Sequence, residues 1–464
     1  MADKTHFLLL FTFFLTFPLF SHQQPPLSPT ESTAVYAALD SINPTIPWPT
    51  LFPPSDLCVS APHGLLCDYF NTTNTTHVVE FSFGFVSDYS PNPPCLPNST
   101  FPSAVLSSFP RIRKLFFYRC FSVERVMFPT FKGTGLDELE ELVMIDNVGL
   151  VGEIGESIGV LKGLRRLVVK GSGVSGRVPE EIVTLSRLEE LTLSRNAIAG
   201  VMPERIGELK ELRVLDLSGN RLTGSVPGSV GELGKLLKLD LSENGFVGRI
   251  PETLRGLREL ELLDLRYNRF GNFGVPLFLG EMMAMKEFYL SGNMLGGVIP
   301  EIWENLGGVL GIGLSGVGLV GELPASMGLF LRNVIYLGLD NNRLDGSLPK
   351  EFEMMGTLHE MNLENNRLSG RVPFSAGFAA GIGSKLKLEG NPGLCVDKGL
   401  MMPLVSNGDE DDEHVVGPSM RSLRFCDEAE NSNPALDSAG CCCHVKMSSW
   451  VLVMLLLGYF GLLL

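Results

Sequence analysis

The amino-acid sequence predicts an α/β repeat solenoid. The expected form is a right-handed superhelix with a parallel concave sheet, short 3₁₀ or irregular convex segments, and a disulfide-sealed cap at each end. Three observations carry this expectation. One motif recurs every 24 or 25 residues through the middle of the chain. Gly (51) and Pro (30) fall in step with it. Cysteines lie only towards the two ends. A fixed period of this size means that one unit cannot bury its apolar face alone and must stack on the next. With 44% hydrophobic residues there is material for a continuous core, which excludes a disordered or collagen-like chain. A net charge of −15 leaves no basic face for phosphates, so no nucleic acid is expected as a partner.

The motif is L-x-L-x-x-N followed by L-x-G-x-[I/V/L]-P, as in LDLSGNRLTGSVP (215–227), LDLSENGFVGRIP (239–251) and LGLDNNRLDGSLP (337–349). Its Asn slot falls at Asn147, Ser172, Asn196, Asn220, Asn244, Asn268, Asn293, Val317, Asn342, Asn366 and Asn391. This is a leucine-rich-repeat array, assigned to residues 106–392. Each L-x-L is read as a short strand with Leu pointing inward and the intervening residues outward. The Asn carboxamide can bond backbone groups where the chain turns, stitching one repeat to the next. Gly permits the tight bend that follows, and Pro forbids a long helix after it. The slots at Ser172 and Val317 lack the carboxamide, and GNFGVP (271–276) is irregular, so weaker stitching is expected there.

A stack exposes core at its ends and needs caps. The N-terminal cap is placed at 22–105. Ser28-Pro29-Thr30-Glu31 is a capping box with Pro at the first helical position, and Asn43-Pro44 ends the helix. Cys58 is paired with Cys67. LFFYRC (115–120) reads as an early strand with Cys120 in the Asn slot, suggesting Cys95–Cys120 as a second bridge. The C-terminal cap, 393–430, would be sealed by Cys395–Cys426 around a solvated acidic run, 409–413. Three N-glycosylation sequons, Asn71, Asn74 and Asn98, all fall in the N-terminal cap.

Residues 1–21 read as a secretory signal, so the chain is expected in an oxidising compartment. Residues 450–464 are an apolar tail preceded by a linker and spacer, 431–449, with the small residues Ser438, Ala439 and Gly440. That layout is a glycolipid (GPI) attachment signal with Ser438 as the attachment site; the alternative is a single transmembrane helix starting near Met447. Cleavage there would remove Cys441–Cys443 from the nine cysteines and leave six to pair. The expected location is the extracellular face of the plasma membrane.

Catalytic patterns fail. Matches to G-x-G-x-x-G at 171–176, 311–316 and 316–321 come from the repeat's own glycines and lack a βαβ context. The seven His are scattered, and neither a nucleophile elbow nor a kinase signature set is present. No cofactor, metal or enzymatic activity is expected. A partner would use the concave sheet. Its outward residues include Arg166 and Lys170 beside apolar Val143, Ile145 and Val168. An aspartate stripe follows, Asp216, Asp240 and Asp264, with Arg266, Tyr267 and Tyr289 at its edge. A low-relief stretch at Gly311, Gly313 and Gly338 and then Tyr336 complete the set. Exposed Tyr and Arg are frequent binding anchors.

The repeat with its G-x-[I/V/L]-P element resembles the plant-specific class found in receptor kinases and receptor-like proteins, over residues from about 28 to 426. SAPHGLLCDYF, HVVEFSFGFVSDYS and LFFYRC resemble a narrower branch that includes Too Many Mouths and Piriformospora indica-insensitive protein 2. The resemblance implies a kinase-less surface receptor-like protein that binds a secreted peptide, a receptor-kinase ectodomain or both, in development or in responses to microbes. The alternative is a secreted or wall-associated inhibitor or scaffold. Pro62-His63-Gly64 stands where the wider family has a Trp before the second cap Cys. No cytoplasmic tail of the usual kind follows the apolar stretch, which puts direct signalling in doubt.

Overall fold

The computed structural model describes residues 25–84, 92–400 and 423–426. The chain divides into two compact units, Met1–Arg424 and Phe425–Leu464, with all the repeats in the first. The signal at 1–21, the acidic run, Ser438 and its spacer, and the apolar tail lie outside the described residues. Among the described residues no helix is long and apolar enough to cross a membrane.

Helix α1, Pro29–Ile42, starts where Ser28 Oγ accepts the Glu31 N–H at 3.1 Å and ends with Asn43 bonded to Leu39 O. Val35, Ala38, Leu39 and Ile42 recur at helical spacing and are fully buried in the cap. A hairpin follows, Leu66–Phe70 antiparallel to Thr75–Phe83. This first strand departs from the all-parallel expectation, because a connection as short as Asn71–Asn74 can only return the chain antiparallel. Thr75–Phe83 then pairs in parallel with Lys114–Tyr118, and parallel pairing continues to Leu386–Lys387, completing a 14-stranded concave sheet. Cys58–Cys67 and Cys95–Cys120 are both formed, with Cα separations of 5.6 and 4.8 Å, and Cys395 and Cys426 are each disulfide-bonded.

The core is one apolar column. Leu191, Leu215, Leu239 and Leu263 occupy the same register position and are buried. Stitching between units follows one rule. Asn366 Nδ2 donates to Leu339 O in the preceding repeat and to Leu363 O and Glu364 O in its own, at 3.0–3.2 Å, while its Oδ1 accepts the Leu344 N–H at 3.0 Å. Asn220, Asn244, Asn268 and Asn391 make the same set.

A second sheet, absent from the sequence reading, forms on the flank where the chain leaves each Asn. It has seven strands, from Val126–Met127 to Arg269–Phe270. Its signal is the L-x-G segment, whose Gly bends the chain at positive φ, as at Gly224 (+79°). Ser172 does not interrupt it: the Leu150 N–H bonds back to Asn147 O at 2.9 Å, and Leu150–Glu153 still pairs with Gly173–Gly176. The sheet does stop after Phe270 and resumes only as Val320–Glu322 with Arg343–Asp345. Val317 offers no acceptor to Leu295, the counterpart of Leu222 and Leu344. On the convex side, 3₁₀ turns such as Glu180–Thr184, Gly228–Glu232 and Lys350–Met354 each follow directly on a Pro. Short α-helices replace them at Ala325–Phe330 and Ala376–Ile382.

His63 is buried in the cap ahead of the second cap cysteine, Cys67. It is 3% exposed, lies 5.4 Å from the Trp48 ring and 5.7 Å from the Phe83 ring, and takes the Asn43 Nδ2–H on Nε2 at 2.9 Å. Burial lowers its pKa to about 4.

Two outcomes follow for stability. Asn366→Ala strands buried backbone groups and is expected to cost about 3 kcal/mol, whereas Val317→Asn restores an acceptor for Leu295 and should add about 1 kcal/mol; urea melts of both check this. For His63, the unfolded imidazole takes a proton below about pH 6.5, while the folded one resists until about 4. Stability is therefore complete above the upper value and falls, by up to about 3 kcal/mol, as pH drops between them. His63→Asn should remove that slope in melts recorded from pH 7 to 4.

Candidate functional site

Each short strand of the concave sheet points alternate side chains away from the core, so register decides which outward residues meet. Asp216, Asp240 and Asp264 are partners on adjacent strands, followed in the same row by Tyr289, Gly313 and Gly338. The aspartates are not free acids on a surface. Asp216 and Asp264 are 7% and 5% exposed. Lys238 Nζ lies 3.0 Å from Asp216 and 3.5 Å from Asp240, while the Arg266 guanidinium grips both oxygens of Asp264 at 2.6–3.0 Å. Ser218 and Ser242 hydroxyls donate to Asp216 and Asp240 at 2.6 and 2.7 Å.

Burial raises the Asp240 pKa, and the flanking carboxylates Asp216 and Asp264 raise it further, against the Ser242 hydrogen bond. Burial opposes the Lys238 charge, yet Asp216 and Asp240 outweigh it and hold its pKa above the usual lysine range. Arg266 also lies over the Tyr289 ring, 4.9 Å from its centroid. Tyr289 Oη donates to Glu287 at 2.9 Å; burial and then this carboxylate push the phenol pKa up. The Tyr289 and Tyr336 rings are 6.5 Å apart.

These tyrosines correct the low-relief expectation. A Cβ on Gly311 would come within 2.6 Å of Tyr289 Oη, one on Gly313 within 2.7 Å of the same ring, and one on Gly338 within 2.4 Å of Tyr336 Oη. The glycines are the bed on which the two rings lie. The resulting groove, about 550 Å³, is lined by Lys238, Asp240, Asp264, Arg266, Tyr289 and Tyr336 among others.

Other sequence-predicted residues lie elsewhere. Arg166 is locked between Glu141 and Glu190 at 3.1 and 2.9 Å, three strands before Lys238. Lys170, at the end of the same strand, makes no ion pair among the described residues. Tyr267 is 60% exposed at positive φ, with its ring beside Gly292 in the turn beyond the strand, so it stands at the edge and outside the groove. Val143 and Val168 alternate with the inward residues of their strands yet are only 4% and 5% exposed. Asn71, Asn74 and Asn98 are all exposed. Lys238, Glu287 and Ser291 also line the groove, beyond the residues the sequence points to; their signal is the outward alternation on either side of Asp240 and Tyr289.

The Leucine rich repeat family matches residues 162–222 and 211–270, and again 284–306. Too Many Mouths of Arabidopsis thaliana is 35% identical over 137 residues, 30% of this chain and 26% of that protein, so the match spans about a quarter of the relative's length. Among solved structures, the Arabidopsis receptor kinase HAESA in complex with the peptide hormone IDA and the co-receptor SERK1 superposes with a TM-score of 0.64 at 25% identity. The match covers 80% of this chain and 62% of that one. PEPR1–AtPEP1 gives a TM-score of 0.61 at 22% identity, covering 79% and 52%, and speaks to the fold alone.

Lys238 is the charge on which the aspartate row depends. Lys238→Met is expected to destabilise the repeat by about 1 kcal/mol at pH 7, where three in-register carboxylates would be left with one cation. The deficit should shrink as pH falls and Asp240 takes up a proton; melts of the variant and parent at pH 7 and 4.5 check the sign.

Proposed function

Taking the chain as a leucine-rich-repeat solenoid, we propose that it is a receptor-like recognition protein of the plant cell surface. It binds a secreted peptide, a partner receptor-kinase ectodomain or both through the concave face, with no catalytic step of its own. The observation that carries this reading is the groove between Lys238 and Tyr336. It joins two half-buried tyrosines, an arginine and under-neutralised carboxylates on a rigid sheet, the residue types from which binding anchors are made. The likeness to Too Many Mouths and to a peptide-bound receptor ectodomain supports it. Attachment through a glycolipid at Ser438, glycosylation at Asn71, Asn74 and Asn98, and action in development or defence belong to the same proposal.

The test is a binding screen of the tagged protein against a panel of receptor-kinase ectodomains, with the Tyr289→Ala/Tyr336→Ala double variant alongside. A partner whose affinity drops at least tenfold on the double variant is expected; retention of full affinity would move the interface off this groove. Surface label lost on treatment with phosphatidylinositol-specific phospholipase C supports the lipid anchor. Recovery of the protein entirely in the extracellular fluid would favour the secreted inhibitor or scaffold.

A further inference from the structure

We infer, on the reading that the concave face takes a peptide, that the occupant is an extended segment carrying a Lys or Arg side chain lodged at Asp240, with the rest of the segment crossing Tyr289 and Tyr336. The argument starts from charge. Along the strands Val214–Asp216 to Glu287–Tyr289, the outward carboxylates are Asp216, Asp240, Asp264 and Glu287, and the outward cations are Lys238 and Arg266. Arg266 is fully engaged by Asp264 through paired hydrogen bonds. Lys238 is shared, closer to Asp216 than to Asp240. Asp240 is thus the weakly neutralised member of the row, held between two like charges at the strand spacing of about 4.8 Å. A ligand cation relieves that repulsion, whereas an acidic segment would add to it.

The second element is the pair of rings, independent of the carboxylates. Arg266 over Tyr289 shows that this ring already accepts a cation in the groove, and Tyr336 extends the same platform by one ring. Four strand steps separate Asp240 from Tyr336 along the sheet, about 19 Å at about 4.8 Å per step. An extended chain covers that in about six residues. The groove therefore has two distinct ends, one reading a positive charge and one offering aromatic surface to whatever lies about six residues away.

The test is selection of a random dodecapeptide display library on the full-length protein held on cells, with counter-screening on the Tyr289→Ala/Tyr336→Ala variant to keep only peptides that use the groove. Those peptides should be enriched in Lys and Arg and should bind Asp240→Asn at least fivefold more weakly. Glu180→Gln, on the convex side, should leave their affinity unchanged. Raising salt from 50 to 300 mM should weaken them further. Tyrosine-dependent peptides without basic enrichment, or with full affinity for Asp240→Asn, would overturn the assignment of a basic side chain while leaving the groove as a peptide site. Absence of any tyrosine-dependent peptide would overturn both.

Discussion

A carboxamide recurring in the same slot of nearly every repeat organises this molecule. Each interior Asn both donates to a carbonyl of the preceding unit and accepts an N–H from it, so its side chain replaces backbone pairing where the strand ends and the chain turns. These groups are buried or half-buried, and leaving a buried one unpaired costs more than a single hydrogen bond gains. The ladder therefore sets the spacing of the repeats, and the leucine column packs within a frame the asparagines hold. Where the slot is filled by Val317, the concave sheet continues but the flank sheet has already stopped at Phe270. Ser172 shows the other outcome, since a neighbouring carbonyl takes over and the flank stays paired.

Because the frame is rigid, the concave face can hold charges in arrangements that a flexible surface would relax. Three aspartates in register are tolerated only because Lys238 and Arg266 lie among them. The tyrosine rings owe their position to glycines, in the following repeat for Tyr289 and in the same strand for Tyr336: any larger residue at 311, 313 or 338 would collide with them. The recognition surface is thus built from small residues as much as from large ones, and both kinds belong to the same short strands.

The N-terminal cap solves a different problem, covering the first repeat without a partner strand of the repeat type. Helix α1, the antiparallel hairpin and two disulfides supply the buried surface. His63 packs between aromatic rings as a neutral imidazole, so the cap is sensitive to acid where the repeats are held by uncharged amides.

The sequence alone determined the repeat period, the inward leucines, the asparagine ladder, the α1 cap and the pairing of Cys58, and it pointed to Cys120 as the partner of Cys95. Each depends on local spacing, which a linear pattern records directly. It also named Asp240, Asp264, Arg266, Tyr289 and Tyr336 as outward residues. Only the tertiary structure decided that these five line one groove while Arg166, Lys170 and Tyr267 lie outside it, that glycine seats the tyrosines, and that a second sheet runs along the flank. The reason is physical: contacts between side chains 22 to 27 positions apart depend on strand register and side-chain direction, and neither is set until neighbouring repeats have stacked.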